Sequence, residues 1–230
     1  PFSTDYLSPV ENVDKYNTEA EKSLGLGVLS ADLGYLNIYE QTSTILTLLG
    51  EIKNISDDLG IGQFFDFNTL KDLAMSNTHL DSLTMVSTRS FNRMDQHLRE
   101  EGRGKLSMLL LSGVWIEGQY LATQIVKKSD NKEIREMIGD QKVVLNELLA
   151  IIENFENDPY FSVLIPELRE LKDVYKDVKI TYTPGEPKTV VKDGKLKIIQ
   201  SETSEVEMDD ATLDKVIKKS AEVLNKIIKL

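Results

Sequence analysis

Two acidic residues stand in segments that are otherwise apolar and rich in small residues. Asp32 lies within residues 24–49 and Glu117 within residues 106–126, and the apolar spacing of both segments predicts buried helices. Two carboxylates crowded in an apolar site shift apart in pKa, so they could act as an acid and base pair or hold a hard cation. They could also simply accept hydrogen bonds from nearby tyrosine, serine or asparagine side chains. We favour this second interpretation.

Polar and aromatic residues are concentrated around the two carboxylates on the predicted core helices. If the two helices meet, these side chains could line a polar pocket between them, as in many small-ligand sites. The candidate pocket consists of Asp32, Tyr35, Tyr39, Trp115, Glu117 and Tyr120. We assign no catalytic residue within it.

The chain lacks the residue sets that familiar reaction centres require. A di-iron bundle needs Glu-x-x-His motifs, but His79 and His97 follow Ser76 and Met94 at that spacing. No serine lies in a Gly-x-Ser-x-Gly motif, and the glycines at 25–27 fall inside a predicted helix rather than between a strand and a helix. We therefore expect no metal and no cofactor, and we lean towards a protein that is not an enzyme.

Composition excludes some classes of partner. The chain has 230 residues, of which 40% are hydrophobic, so it is long enough to bury one large core, and we predict a single domain. Its net charge of −11 disfavours nucleic-acid binding, because that binding depends on neutralising phosphates. The chain has no cysteine, so disulfide and thiolate chemistry are excluded.

The periodicity predicts a mainly α fold, a multi-helix bundle with a small antiparallel β-hairpin inserted before the C-terminal helix. Residues 1–17 read as an extended lead-in and residues 18–176 as the helical core, which Thr18 opens with Glu21 as its capping-box partner. A break is expected near residues 41–43. The segment from 105 to 128 is apolar on nearly every face, which predicts a central helix.

Glycine and proline add detail to this core. Gly25, Gly27 and Gly34 are costly inside a helix, so we expect a neighbouring element to approach the backbone closely there. Pro166 is expected in the first turn of a helix, where a missing amide hydrogen costs nothing.

Residues 178–200 change to alternating character around the pair Asp193-Gly194, which is a strong hairpin signal. Residues 210–230 then predict the last helix. The hairpin carries a local basic patch. An unpaired strand edge of the hairpin could recruit a partner's strand, but lysines on an edge strand can also prevent such pairing, and we favour prevention. The lysines of this patch are Lys179, Lys188, Lys192, Lys195 and Lys197.

Three segments of the chain carry a resemblance to a known group of proteins. They are residues 26–35 (LGVLSADLGY), residues 112–118 (SGVWIEG) and the tail that begins with residues 178–182 (VKITY). In these segments the chain resembles uncharacterised exported proteins of Gram-negative envelopes, many of which have the features of lipoproteins. The resemblance implies a signal segment and an acylated cysteine upstream of Pro1, so that any membrane attachment would be through that lipid anchor. It implies no activity.

Two functional hypotheses follow. The first is a non-enzymatic binding or scaffolding protein of the bacterial cell envelope, on its periplasmic side according to the resemblance, with an unidentified protein or small molecule as its partner. The second is a small-ligand-binding or hydrolytic protein that uses the polar pocket around Asp32 and Glu117.

Overall fold

The computed structural model describes residues 2–75, 80–129, 131–192 and 195–227. As predicted, the fold is mainly α, with a two-stranded antiparallel hairpin before the last helix. The elements are α1 (Glu19–Ile38), α2 (Thr42–Asp58), α3 (Phe67–Met75), α4 (Leu80–Glu100), α5 (Gly104–Ser129), α6 (Lys132–Ile152), α7 (Pro159–Val174), β1 (Lys179–Lys192), β2 (Lys195–Glu207) and α8 (Asp210–Ile227).

Local sequence signals set the beginning and end of α1. The Thr18 hydroxyl accepts a hydrogen bond from the Glu21 amide (3.1 Å), and the Glu21 carboxylate accepts one from the Thr18 amide (2.9 Å), which confirms the capping box. After α1 the chain turns at Glu40, whose φ of 55° lies in the left-handed region. The predicted segment 24–49 is therefore two helices, and the expected break is confirmed by the start of α2 at Thr42.

Helices α1 and α5 run side by side in the same direction. Near their amino-terminal ends Glu19 pairs with Arg103 (2.5 Å), and further along Gly27 lies against Gly113. A Cβ atom added to either glycine would collide with the backbone of the other helix, so the predicted close approach at Gly27 is confirmed. The same expectation was wrong for Gly34, because nothing lies within 4 Å of the position of its Cβ.

Helix α5 is the central helix, as its apolar faces predicted. It contacts α1, α4, α6 and α8, and its buried residues point in several directions around the helix axis. Leu109 and Ile116, for example, are each almost fully buried. A helix surrounded in this way has no solvated face over much of its length, so a polar side chain on it must find a partner inside the protein.

Helix α7 begins earlier than predicted. The Asp158 carboxylate caps it by accepting a hydrogen bond from the Tyr160 amide (3.1 Å), and Pro159 occupies the first turn. Pro166 therefore lies inside the helix, and its predicted place in a first turn was wrong.

The hairpin is longer than predicted. Its strands pair in antiparallel register, with an irregularity between Pro184 and Pro187 that accommodates the prolines. Strand β2 continues to Glu207, beyond the predicted end of the hairpin at residue 200. The pair Asp193-Gly194 lies outside the described residues. So do the side chains of residues 186–203, which include the predicted basic patch apart from Lys179.

The C-terminal helix α8 packs on α5 and α7. The Asp209 carboxylate caps it by accepting a hydrogen bond from the Thr212 amide (2.7 Å). Midway along it, the buried amine of Lys219 forms ion pairs with Glu167 (3.2 Å) and Glu170 of α7. The predicted helix 210–230 is thus observed to residue 227, and its last residues lie outside the described part of the chain.

Candidate functional site

The parallel pairing of α1 and α5 brings Asp32 and Glu117 together in the interior. Only 1% of Asp32 and none of Glu117 is exposed, so both carboxyl groups are buried, as the sequence predicted. Their meeting follows from the helix geometry. The contact of Gly27 with Gly113 lies about one turn before each carboxyl group and holds the two backbones close together.

The lead-in supplies the residue that covers the pair. Residues 2–17, predicted to be extended, include two short 3-10 segments, Thr4–Tyr6 and Val10–Lys15. Between these segments the Ser8 amide donates to Asp32 Oδ2 (3.1 Å), and the Ser8 hydroxyl donates to Glu117 Oε2 (3.3 Å). A single residue of the lead-in therefore contacts both carboxyl groups.

The two carboxyl groups interact with each other, and burial favours the protonated form of each. Asp32 Oδ1 and Glu117 Oε1 receive no hydrogen bond from another described residue. A hydrogen bond between the two carboxyl groups would require a proton on one of them. Burial raises the pKa of Asp32 to about 7, although the Ser8 amide and the bond to Glu117 act in the opposite direction. Burial and then the charge of Asp32 raise the pKa of Glu117 well above its usual range. Burial therefore favours retention of protons by this pair at pH values at which exposed carboxyl groups are ionised.

Two tyrosines lie close enough to be affected by this pair. Burial, followed by the charges of Glu117 and Asp32, raises the pKa of Tyr16, and burial with the charge of Glu117 does the same for Tyr120. The Tyr16 ring lies on Gly25, where any side chain would overlap it. The predicted close approach at Gly25 is thus made by the lead-in rather than by another helix.

The remaining candidate residues form two separate groups. Tyr35 and Tyr39 pack against each other, with ring centroids 4.9 Å apart, and Phe2 of the lead-in stacks on Tyr35 at 5.7 Å. The Tyr35 hydroxyl also accepts a hydrogen bond from the Ser3 amide (2.9 Å). These tyrosines therefore anchor the beginning of the lead-in.

Trp115 points towards α6. Its indole N–H donates to Gln141 Oε1 (2.9 Å), and its side chain is half-buried. Its structural partners are thus different from those of Asp32 and Glu117, although it is only two residues from Glu117 in the sequence. Whether the six candidate residues bind a ligand together remains a prediction.

The cavities and grooves of the described part include two that bear on ligand binding. One is a cavity of ≈ 20 Å³ beside Tyr16 and Gly25, which has room for about one water molecule and is lined by none of the six candidate residues. The other is an open groove of ≈ 680 Å³ between α6 and the base of the hairpin. Its charged side chains are of both signs, and Arg135 is already bound to the Met208 carbonyl (2.6 Å) and to Asp210 (2.6 Å).

Sequence reasoning missed Ser8 and Tyr16. Neither lies in a periodic segment, and a serine before a proline reads as an ordinary loop residue. The cost of glycine at position 25 was the one signal that something approaches α1 there, but it did not identify the approaching residue.

Within the described ranges, no group of three or more histidine, aspartate and glutamate residues is placed to hold a metal ion. Nor does any helix there have both the length and the apolar character needed to cross a membrane. Comparison of the chain with known protein families, with characterised proteins and with solved structures found no match.

Proposed function

We propose that this protein is a non-enzymatic binding or scaffolding protein of the bacterial cell envelope. In this proposal the Asp32–Glu117 pair belongs to the interior and fastens the lead-in to the core helices. It does not act on a substrate.

The burial of both carboxyl groups beneath Ser8 is the observation that supports this proposal. A reacting carboxyl group has to contact its substrate within hydrogen-bond distance. Here the exposed fraction of either residue is at most 1%, and Ser8 occupies an oxygen of each. Placement in the envelope is supported by the resemblance in residues 26–35 and 112–118 alone.

A second candidate function has one observation in its favour. A pair of neighbouring carboxyl groups with both pKa values raised by burial is an arrangement that acid–base catalysis uses. In a small-ligand-binding or hydrolytic protein, the lead-in with Ser8 would have to move away from the two carboxyl groups so that a ligand could reach them.

Chemical labelling separates the two candidates. The folded protein is treated with a water-soluble carbodiimide and a small amine, and modified carboxyl groups are located by mass spectrometry. We expect exposed carboxylates such as Glu133 and Glu147 to react readily. Asp32 and Glu117 should stay unmodified until the protein is unfolded.

The unfolded sample is the control, because it shows that the peptides containing both residues can be labelled and detected. Modification of Asp32 or Glu117 in the native protein at a rate close to that of Glu147 would contradict the proposal. It would show that small molecules reach the pair, as the second candidate requires.

A further inference from the structure

Helix α6 carries a row of large apolar side chains on its outer surface. Met137, Val144 and Ile151 are exposed by 63%, 40% and 45%. They are spaced seven residues apart, so they lie almost in line along the helix and cover about 21 Å at a rise of about 1.5 Å per residue. We call these three residues the α6 row.

The surface beside the α6 row includes part of α5. Gln141 lies four residues after Met137 and three before Val144, whereas Leu148, at the equivalent position seven residues later, is buried in the core. Gln141 touches Trp115 of α5, and near it Gly118 is exposed, with nothing within 4 Å of the position of its Cβ. A neighbouring backbone could therefore approach α5 closely at this point.

The other side of the α6 row is acidic. Glu133, Asp140 and Glu147 lie along it, and none of the three forms an ion pair within the described residues, while Glu136 pairs with Lys132 (3.3 Å). Burial and the charge of Glu136 raise the pKa of Asp140, as expected for a carboxylate crowded by another acid.

The cations of α6 do not neutralise this edge. Arg135 binds Asp210 and the Met208 carbonyl. Lys142 donates to the backbone carbonyls of residues 176 and 178 (3.2 and 2.6 Å). The acidic edge thus presents unpaired charge next to an apolar surface, and a complementary partner would supply both cations and apolar side chains.

We propose that the α6 row and its acidic edge bind a basic amphipathic helix of a partner protein. Such a helix carries large apolar residues at spacings of three and four, with lysine or arginine along one flank, and needs about four turns to cover the row. A second copy of this chain fits poorly, because its own α6 would bring the same acidic edge to the contact. This inference rests on the proposed binding function and names the chemistry of the partner.

The test uses a fluorescent synthetic peptide of about five turns, with leucine at heptad spacing and lysine on one flank. The control peptide has glutamate in place of each lysine. Binding to the full chain is followed by fluorescence anisotropy. We expect the lysine peptide to bind at least about tenfold more tightly than the glutamate peptide, since each close charge pair contributes a factor of a few.

Three variants locate the contact. Val144→Asp should weaken binding of the lysine peptide by about tenfold or more, because it puts a charge in the apolar row. Glu147→Lys should weaken it by about fivefold. Asp214→Lys, which makes the same charge change at an exposed position of α8, should change it by less than about twofold.

Equal effects of Glu147→Lys and Asp214→Lys would overturn the proposal, because binding would then follow net charge rather than this surface. Unchanged binding by Val144→Asp, or self-association of the free protein that Val144→Asp abolishes, would overturn it as well. Failure of this test would leave the labelling result on Asp32 and Glu117 unaffected, so the two proposals can fail separately.

Discussion

Raising the pH should destabilise this fold through the Asp32–Glu117 pair. The pKa of Asp32 is raised from an ordinary 3.8 to about 7 in the folded protein. Between these two values the folded protein holds a proton that the unfolded chain has released. The stabilisation is therefore complete below the ordinary pKa and is lost as the pH rises through the folded-state pKa.

The size of the effect follows from the shift. The free energy of unfolding falls by about 1.4 kcal/mol for each pH unit per proton, so a shift of about three units sets an upper bound of about 4 kcal/mol. Because only 1% of Asp32 is exposed, solvent screening does little to reduce it. The raised pKa of Glu117 acts in the same direction.

The assay compares the wild-type protein with Asp32→Asn and Glu117→Gln. Urea unfolding is followed by circular dichroism at several pH values from about 4 to about 8, and each series gives the free energy of unfolding. Asp32→Asn removes the titrating group but can still accept the Ser8 amide, so it should lose about 1.4 kcal/mol per pH unit of slope. Glu117→Gln keeps a donor for Asp32 and should therefore keep the titration of Asp32.

Differences between the variants isolate the pair from other groups. Hydrogen bonds or ion pairs lower the pKa values of Glu167, Asp66 and Asp209, in the case of Glu167 against the effect of burial. These three groups therefore increase the free energy of unfolding as the pH rises, which is opposite to the effect of Asp32. They are the same in all three proteins. If the wild-type and Asp32→Asn profiles stay parallel over the whole range, Asp32 ionises normally and the reasoning is refuted.

Three further predictions, which involve five substitutions, concern other parts of the fold and are measured by urea unfolding. Gly27→Ala should lower the free energy of unfolding by at least about 2 kcal/mol, because the new Cβ collides with the backbone of α5. Gly34→Ala, where the new Cβ has open space, should raise it by up to about 1 kcal/mol. Similar effects at both sites would argue against the close contact of α1 with α5. Glu40→Gly should stabilise by about 1 kcal/mol by relieving a left-handed φ, and a loss of stability would show that the Glu40 side chain matters more. Lys219→Met should lower the free energy of unfolding by about 3 kcal/mol, because it leaves acidic side chains on α7 without their buried partner. The side chain of Lys226 is 55% exposed, so Lys226→Met should lower it by less than about 1 kcal/mol. The reverse order would contradict the burial of Lys219.

Local features of the fold were predictable because they depend on neighbours in the sequence. The capping box of Thr18 and Glu21, for example, is satisfied within three residues of chain. The central helix was also predictable, since apolar residues on every face leave no other position for it. Pro166 misled the prediction, because a proline tolerated inside α7 has the same local appearance as one that starts a helix.

The arrangement of the site was only partly predictable. Periodicity indicates that Asp32 and Glu117 point inwards, but it does not say that their helices run parallel or that they meet. That pairing depends on Gly27 and Gly113, which lie far apart in the chain. The role of Ser8 depends on a contact spanning 109 positions, and no local pattern encodes it.

The parallel course of α1 and α5 has a consequence for synthesis on the ribosome. Helix α1 leaves the exit tunnel well before its main packing partner α5, because the contacting residues Glu19 and Arg103 are 84 positions apart. Until α5 has emerged, the inner face of α1, which includes Asp32, stays uncovered. A long loop must then close before α5 can pack against it. The contact between α1 and α5 therefore forms late in synthesis. A nascent chain stalled before α5 would expose the apolar face of α1, which a chaperone could bind.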